Sequence, residues 1–109
     1  MTPEKQEEIY QKMHEDIMKI TASKRHDYAN TDVLSNFKGV SNAAKELGID
    51  VHTPTGYSLF MVLLKIARLS NLLNSGKTPN NEAIDDSFFD GINYFKLAYC
   101  CFIDNKEKI

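Results

Sequence analysis

The chain has 109 residues, 42% of them hydrophobic and 26% charged, and a formal net charge of -2. That is one globular domain with room for a modest core. The slightly acidic balance argues against a general nucleic-acid binder, whose affinity would rest on a basic face, and leaves room for local basic pockets.

Thr2-Pro3 opens a first helix, with Thr2 as N-cap and Pro3 at the first helical position. Ile9, Met13, Ile17 and Ile20 recur at helical spacing and charged residues fill the other face, so the helix is amphipathic and reaches at least Ser23. Lys24 to Phe37, KRHDYANTDVLSNF, concentrates hydrogen-bonding side chains at one corner. Asn30-Thr31-Asp32 reads as a turn, and Asp32 is placed to cap a second helix with the stripe Phe37, Val40, Ala44, Leu47 and a stop at Gly48. Asp50 to Gly56 reads as a loop. From Ser58 the chain is apolar nearly all round, which marks the most buried helix, ending at Asn74-Ser75-Gly76. After a turn at 78–81, the last helix carries Ile84, Phe88, Ile92, Phe95, Tyr99 and Phe102 at steps of three and four, and its phenylalanines are expected in the core. The result is an all-α domain of four helices over residues 3–103, the last two an antiparallel hairpin, with a charged tail at 104–109 expected to fray.

The neighbouring Cys100 and Cys101 rarely suit disulfide geometry and are expected to be buried, reduced thiols. The polar start MTPEKQEEIYQ is unlike a signal peptide, and the run Leu59 to Leu64 is too short to cross a bilayer. A cytoplasmic protein without a membrane partner is expected. His14, His26 and His52 lack metal-ligand spacing and are expected on the surface or in loops.

The polar residues of the last two helices are the anomaly. Lys65 and Arg68 interrupt an apolar helix, while Glu82, Asp86 and Asp90 stack at steps of four on the next. A simple hairpin register pairs Lys65 with Asp90 and sets Arg68 beside Asp86. Internal ion pairing is the structural account of this cluster. One functional account is a phosphate site formed by Lys24, Arg25, Lys65 and Arg68, with Tyr28 and Phe37 as stacking faces and Asn36 reading a base edge. In another, Glu82, Asp86 and Asp90 hold Mg²⁺. Asp27 and Asn36 are expected to satisfy helix ends and buried cations, which places the corner against the middle of the Lys65 helix.

The order DYA-x-x-DV-x-x-NF, a helix with Lys65, and an acidic helix carrying D-G-I-N-Y resembles the nucleotide modification associated domain of bacteriophage genomes, over roughly Lys12 to Phe102. The resemblance marks Asp27, Tyr28, Asn36, Phe37, Lys65, Arg68, Glu82, Asp90, Asn93 and Tyr94. It implies a phage accessory protein that binds or sequesters a phosphorylated nucleotide, a host-defence signalling nucleotide among the candidates, and it supplies no reaction. A more distant likeness is to the all-α nucleoside triphosphate pyrophosphatases, which hold Mg²⁺ between an E-x-x-E and an E-x-x-D pair. Glu82 to Asp86 imitates one half, but Lys65 and Arg68 stand where the second acidic pair is needed, and cations there quench the field that draws in a metal. The expectations are therefore a nucleotide binder without cofactor; as alternatives, a Mg²⁺-dependent nucleotide hydrolase, or an interaction module whose polar corner is structural. The small core and the many-sided apolar last helix point to a homo-oligomer, most simply a dimer, with Gly91 allowing close approach.

Overall fold

A computed structural model describes residues 1–79 and 83–107 of the chain; among these there are four α-helices and no strand. They are α1 (Pro3–Tyr28), α2 (Ser35–Leu47), α3 (Pro54–Ser75) and α4 (Ile84–Glu107). Several boundaries have a local cause. Thr2 Oγ1 accepts the Lys5 N–H at 3.1 Å and Pro3 occupies the first turn of α1. Gly48 and Gly76 end α2 and α3 in the left-handed region, at φ 69° and 68°, so that their N–H groups turn back onto the last helical carbonyls.

Three boundaries differ from expectation. α3 begins at Pro54 rather than Ser58, because Thr53 Oγ1 accepts the Gly56 N–H at 3.0 Å and Pro54 takes the first helical position. Gly56 is buried, and a Cβ there would collide with the Asp50 carbonyl. Asp32 does not cap α2. It lies a turn earlier, accepting the Leu34 N–H at 3.0 Å and pairing with Lys38 at 2.6 Å, and Leu34 at the N-cap position makes no side-chain cap. Finally, α4 continues to Glu107, so the first four residues of the expected tail are helical.

α3 and α4 form an antiparallel hairpin: Ser58 meets Cys101, Lys65 meets Asp90 and Arg68 meets Ser87. α3 is the central helix, since α1, α2 and α4 all pack on it. Its 22 residues are long and apolar enough to cross a bilayer by length and composition alone, but here it serves as the scaffold of the other three.

The residues that α4 turns toward α3 are not the expected ones. Phe88, Phe95 and Phe102 remain 48%, 61% and 51% exposed. The inward face carries Ser87 and Ala98, both buried, with Gly91, Tyr94 and Cys101 half-buried. These five recur at steps of three and four just as the aromatics do, and the small side chains of the buried Ser87 and Ala98 let α4 lie close on α3. Cys101 is thus half-buried and Cys100 exposed, against the expectation that both are inside. The α1 stripe is likewise uncovered: from Met1 to Ala22 every residue is exposed except half-buried Asp16. On α2, Val40 and Ala44 are buried while Phe37 and Leu47 face outward. The radius of gyration is 17.7 Å, against about 13 Å for a tightly folded chain of this length; the projecting part of α1 contributes to the difference.

Candidate ligand-binding site

The corner is built around a buried ion pair. α1 continues through Tyr28, which carries Asp27 onto the middle of α3, as expected. Asp27 and Arg68 are both 0% exposed, and Arg68 Nη2 donates to Asp27 Oδ2 at 2.7 Å. The other arm of the guanidinium, Nη1, donates to Ser87 Oγ at 2.6 Å, so one side chain joins α1, α3 and α4. The planar fork of arginine suits that task, because its donors diverge in fixed directions. Arg68 therefore pairs with Asp27 rather than with Asp86, which is exposed. Lys65 lies beside Asp90 at 3.3 Å, the register expected of the hairpin, and also donates to the Tyr28 hydroxyl at 3.5 Å.

Neighbouring groups hold the end of α1 in place. Asn71 Nδ2 donates to the Asp27 carbonyl at 2.8 Å and to the His26 carbonyl at 3.3 Å, satisfying acceptors that the helix end leaves open. Half-buried His26 donates from Nε2 to the Thr78 carbonyl at 2.7 Å, fastening α1 to the segment that follows α3. The Arg68 guanidinium carbon lies 6.0 Å from the centre of the Tyr28 ring, within cation–π range. The link from α1 to α2 is folded on its own side chains: Asn30 Oδ1 accepts the Asp32 N–H at 2.9 Å, and Ser35 Oγ accepts the Asn30 N–H at 3.0 Å. The Asp32 carboxyl lies below the usual carboxylate range, first because of its hydrogen bond from Lys38 and then that from the Leu34 amide.

A cleft of about 470 Å³ opens beside this clamp, among α1, the start of α2 and α3. Lys24, Arg25, Tyr28, Asn36 and Phe37 line it, five of the eight residues expected to bind ligand. Its remaining wall is apolar, chiefly Ile20, Val33, Leu34 and Leu64. Among the described residues neither Lys24 nor Arg25 has an ion-pair partner. Phe37 is 66% exposed. The other three expected residues, Asp27, Lys65 and Arg68, do not line the cleft and instead brace Tyr28 and the end of α1. A second hollow, of about 390 Å³, shares Tyr28 and Asn36 and, apart from Ala67, is otherwise walled by amide and hydroxyl side chains, including Asn30, Ser35, Asn71 and Asn74. Sequence reasoning missed it. The available signal was a run of asparagines and serines at helical spacing, Ser70, Asn71, Asn74 and Ser75, late in an otherwise apolar helix.

Of the carboxylates considered for Mg²⁺, Asp90 is engaged by Lys65, Asp86 stands exposed one turn earlier, and Glu82 lies outside the described residues. No group of three His, Cys, Asp or Glu placed to share a metal occurs among the described residues. No protein-family model, curated protein or solved structure matches the chain.

Proposed function

We propose that the cleft among α1, α2 and α3 binds a nucleotide-class molecule, an aromatic base carrying phosphate, and that the protein acts by holding it. The observation that carries this reading is the meeting of two unpaired cations, Lys24 and Arg25, with Tyr28, Asn36 and Phe37 in one cleft. Arginine engages phosphate through paired donors and lysine as a point charge. The ring faces of Tyr28 and Phe37 suit a base, and stacking of this kind contributes about 1–3 kcal/mol per base. The adjoining hollow offers the donors and acceptors that a ribose hydroxyl needs. Tyr28 is pre-positioned by Lys65 and Arg68, so less ordering is left to oppose binding.

Holding is favoured over hydrolysis because the carboxylates nearest the corner serve cations: Asp27 with Arg68, and Asp90 with Lys65. The sequence resemblance to nucleotide modification associated proteins of phages points the same way, toward an accessory protein of the infected bacterial cytoplasm that takes up a phosphorylated nucleotide.

Calorimetric titration against linear and cyclic nucleotides tests the proposal. Wild type is expected to release or absorb heat with at least one of them. Phe37→Ala and Arg25→Gln, both at exposed positions, are expected to lose affinity at unchanged melting temperature. Silence of the wild type across the panel refutes the proposal. Release of pyrophosphate or phosphate in the presence of Mg²⁺, abolished by Asp86→Asn, replaces it with the hydrolase reading.

A second reading rests on the buried Asp27–Arg68–Ser87 network. Such a network serves as a helix clamp without any ligand, which leaves the exposed apolar faces to act in protein interaction.

A further inference from the structure

The chain exposes 8134 Å² of surface. A compact monomer of 12.4 kDa exposes about 6,100 Å², an excess of about 2,000 Å² on one chain. Obligate homodimers bury about 2,000–5,000 Å² in total, or about 1,000–2,500 Å² per chain. The excess is of that size. Part of it lies on the projecting half of α1, and part lies on the apolar outer face of the α3–α4 hairpin.

That face is a groove of about 400 Å³ with Val62, Ile66 and Leu69 on the α3 side and Phe88, Ile92 and Phe95 on the α4 side. Gly91, half-buried, lines it as well. A glycine inside a helix costs about 1 kcal/mol against alanine, and here the chain's own packing does not require it. A Cβ at Gly91 would meet its nearest neighbour, the Lys65 Cβ, at 3.9 Å, an ordinary contact. The missing side chain instead leaves a hole in the groove where α4 passes Lys65, with Phe88 and Phe95 about one turn to either side of it.

We infer that this groove is the two-fold interface with a second copy of the chain, two α3–α4 hairpins closing into a four-helix bundle. An interface between identical copies must carry its own complement on one patch. This one does: the hole at Gly91 and the projecting rings stand together on α4. Its charges are arranged in the same way. Asp85 and Lys96 are about three helical turns apart and so share one edge of the apolar face. Antiparallel packing of α4 on its twin, with the two-fold near Gly91, sets Asp85 of each copy against Lys96 of the other. The proposal is independent of whether the cleft at the other side of α3 holds a nucleotide.

Sedimentation equilibrium of the full chain over micromolar concentrations, with circular dichroism alongside, tests it. Wild type is expected to be a dimer. Ile92→Glu, at a position exposed in the single chain, is expected to give a helical monomer. Gly91→Leu is expected to raise the dissociation constant about tenfold or more by filling the hole. Asp85→Lys and Lys96→Glu are each expected to weaken the dimer, and the double exchange to restore it, which holds even where Ile92→Glu loses helix. A monomeric wild type overturns the inference. So does a dimer that survives Ile92→Glu and Gly91→Leu but separates on Ile17→Glu, which places the contact on α1, and so does a double exchange no tighter than the single ones.

Discussion

Removing either partner of the Asp27–Arg68 pair is expected to be far more damaging than removing any cation of the cleft. Both side chains are fully buried, and Asp27 Oδ2 lies 2.7 Å from Nη2 of Arg68. Arg68→Met leaves a carboxylate in the interior without its guanidinium, and Asp27→Leu leaves the converse. Loss of one member of a buried pair costs about 3–5 kcal/mol, because the survivor keeps its desolvation penalty. For a domain of this size that lowers the melting temperature by about 12–24 °C at the least severe end. The double variant Asp27→Leu/Arg68→Met removes both penalties and gives up the 2.6 Å hydrogen bond to Ser87 and the contact with Tyr28, a loss of about 1–3 kcal/mol. It should therefore be more stable than either single variant. Urea denaturation of all four proteins at one fixed protomer concentration gives the coupling directly. Single variants that each lose under about 1 kcal/mol, or losses that simply add, refute the view of this pair as the clamp of the fold.

Asn71→Leu strips the His26 and Asp27 carbonyls of their donor, and urea denaturation should register about 1–3 kcal/mol of lost stability. Gly56→Ala should fold poorly or not at all, because the added methyl meets the Asp50 carbonyl; a soluble, cooperatively melting variant contradicts the close approach. The Asp32 carboxyl is held below its ordinary range by Lys38 and the Leu34 amide. Its contribution to stability is therefore present above the ordinary aspartate range and lost as pH falls through the lowered folded value. An NMR titration should show the low midpoint, and Lys38→Met should move it upward.

The helices were legible in the sequence because spacing and caps are local. Thr2-Pro3, Gly48 and Gly76 each mark a boundary that the structure keeps. Thr53-Pro54 repeats the Thr2-Pro3 signal, yet Gly56 two residues later read as part of a loop rather than as a buried point of contact. The pairing of Lys65 with Asp90 followed from hairpin register, whereas Arg68 had two acids within reach on different elements and its choice of Asp27 is a tertiary fact. The face of α4 was misjudged for a physical reason. Apolar spacing shows that a stripe will be buried but not by what, and Ser87, Gly91 and Ala98 offered a second stripe that could lie closer to α3. At the site, residue types named the cleft lining at Lys24, Arg25, Tyr28, Asn36 and Phe37. They did not separate these from the bracing residues behind.

The Asp27 anchor also sets the rotational phase of α1. Successive residues of a helix are about 100° apart around its axis, and Lys24 and Tyr28 stand one turn before and one step after the anchor. Deleting a single residue between Lys24 and Asp27 would swing Lys24 away from the cleft while leaving the clamp intact. The same deletion before Ile20 turns only a stretch that is exposed apart from Asp16 and lies outside the cleft. One helix is thereby two devices in series: a stretch whose length can drift at little cost to the fold, and a last turn and a half that is indexed, residue by residue, to the arginine it grips.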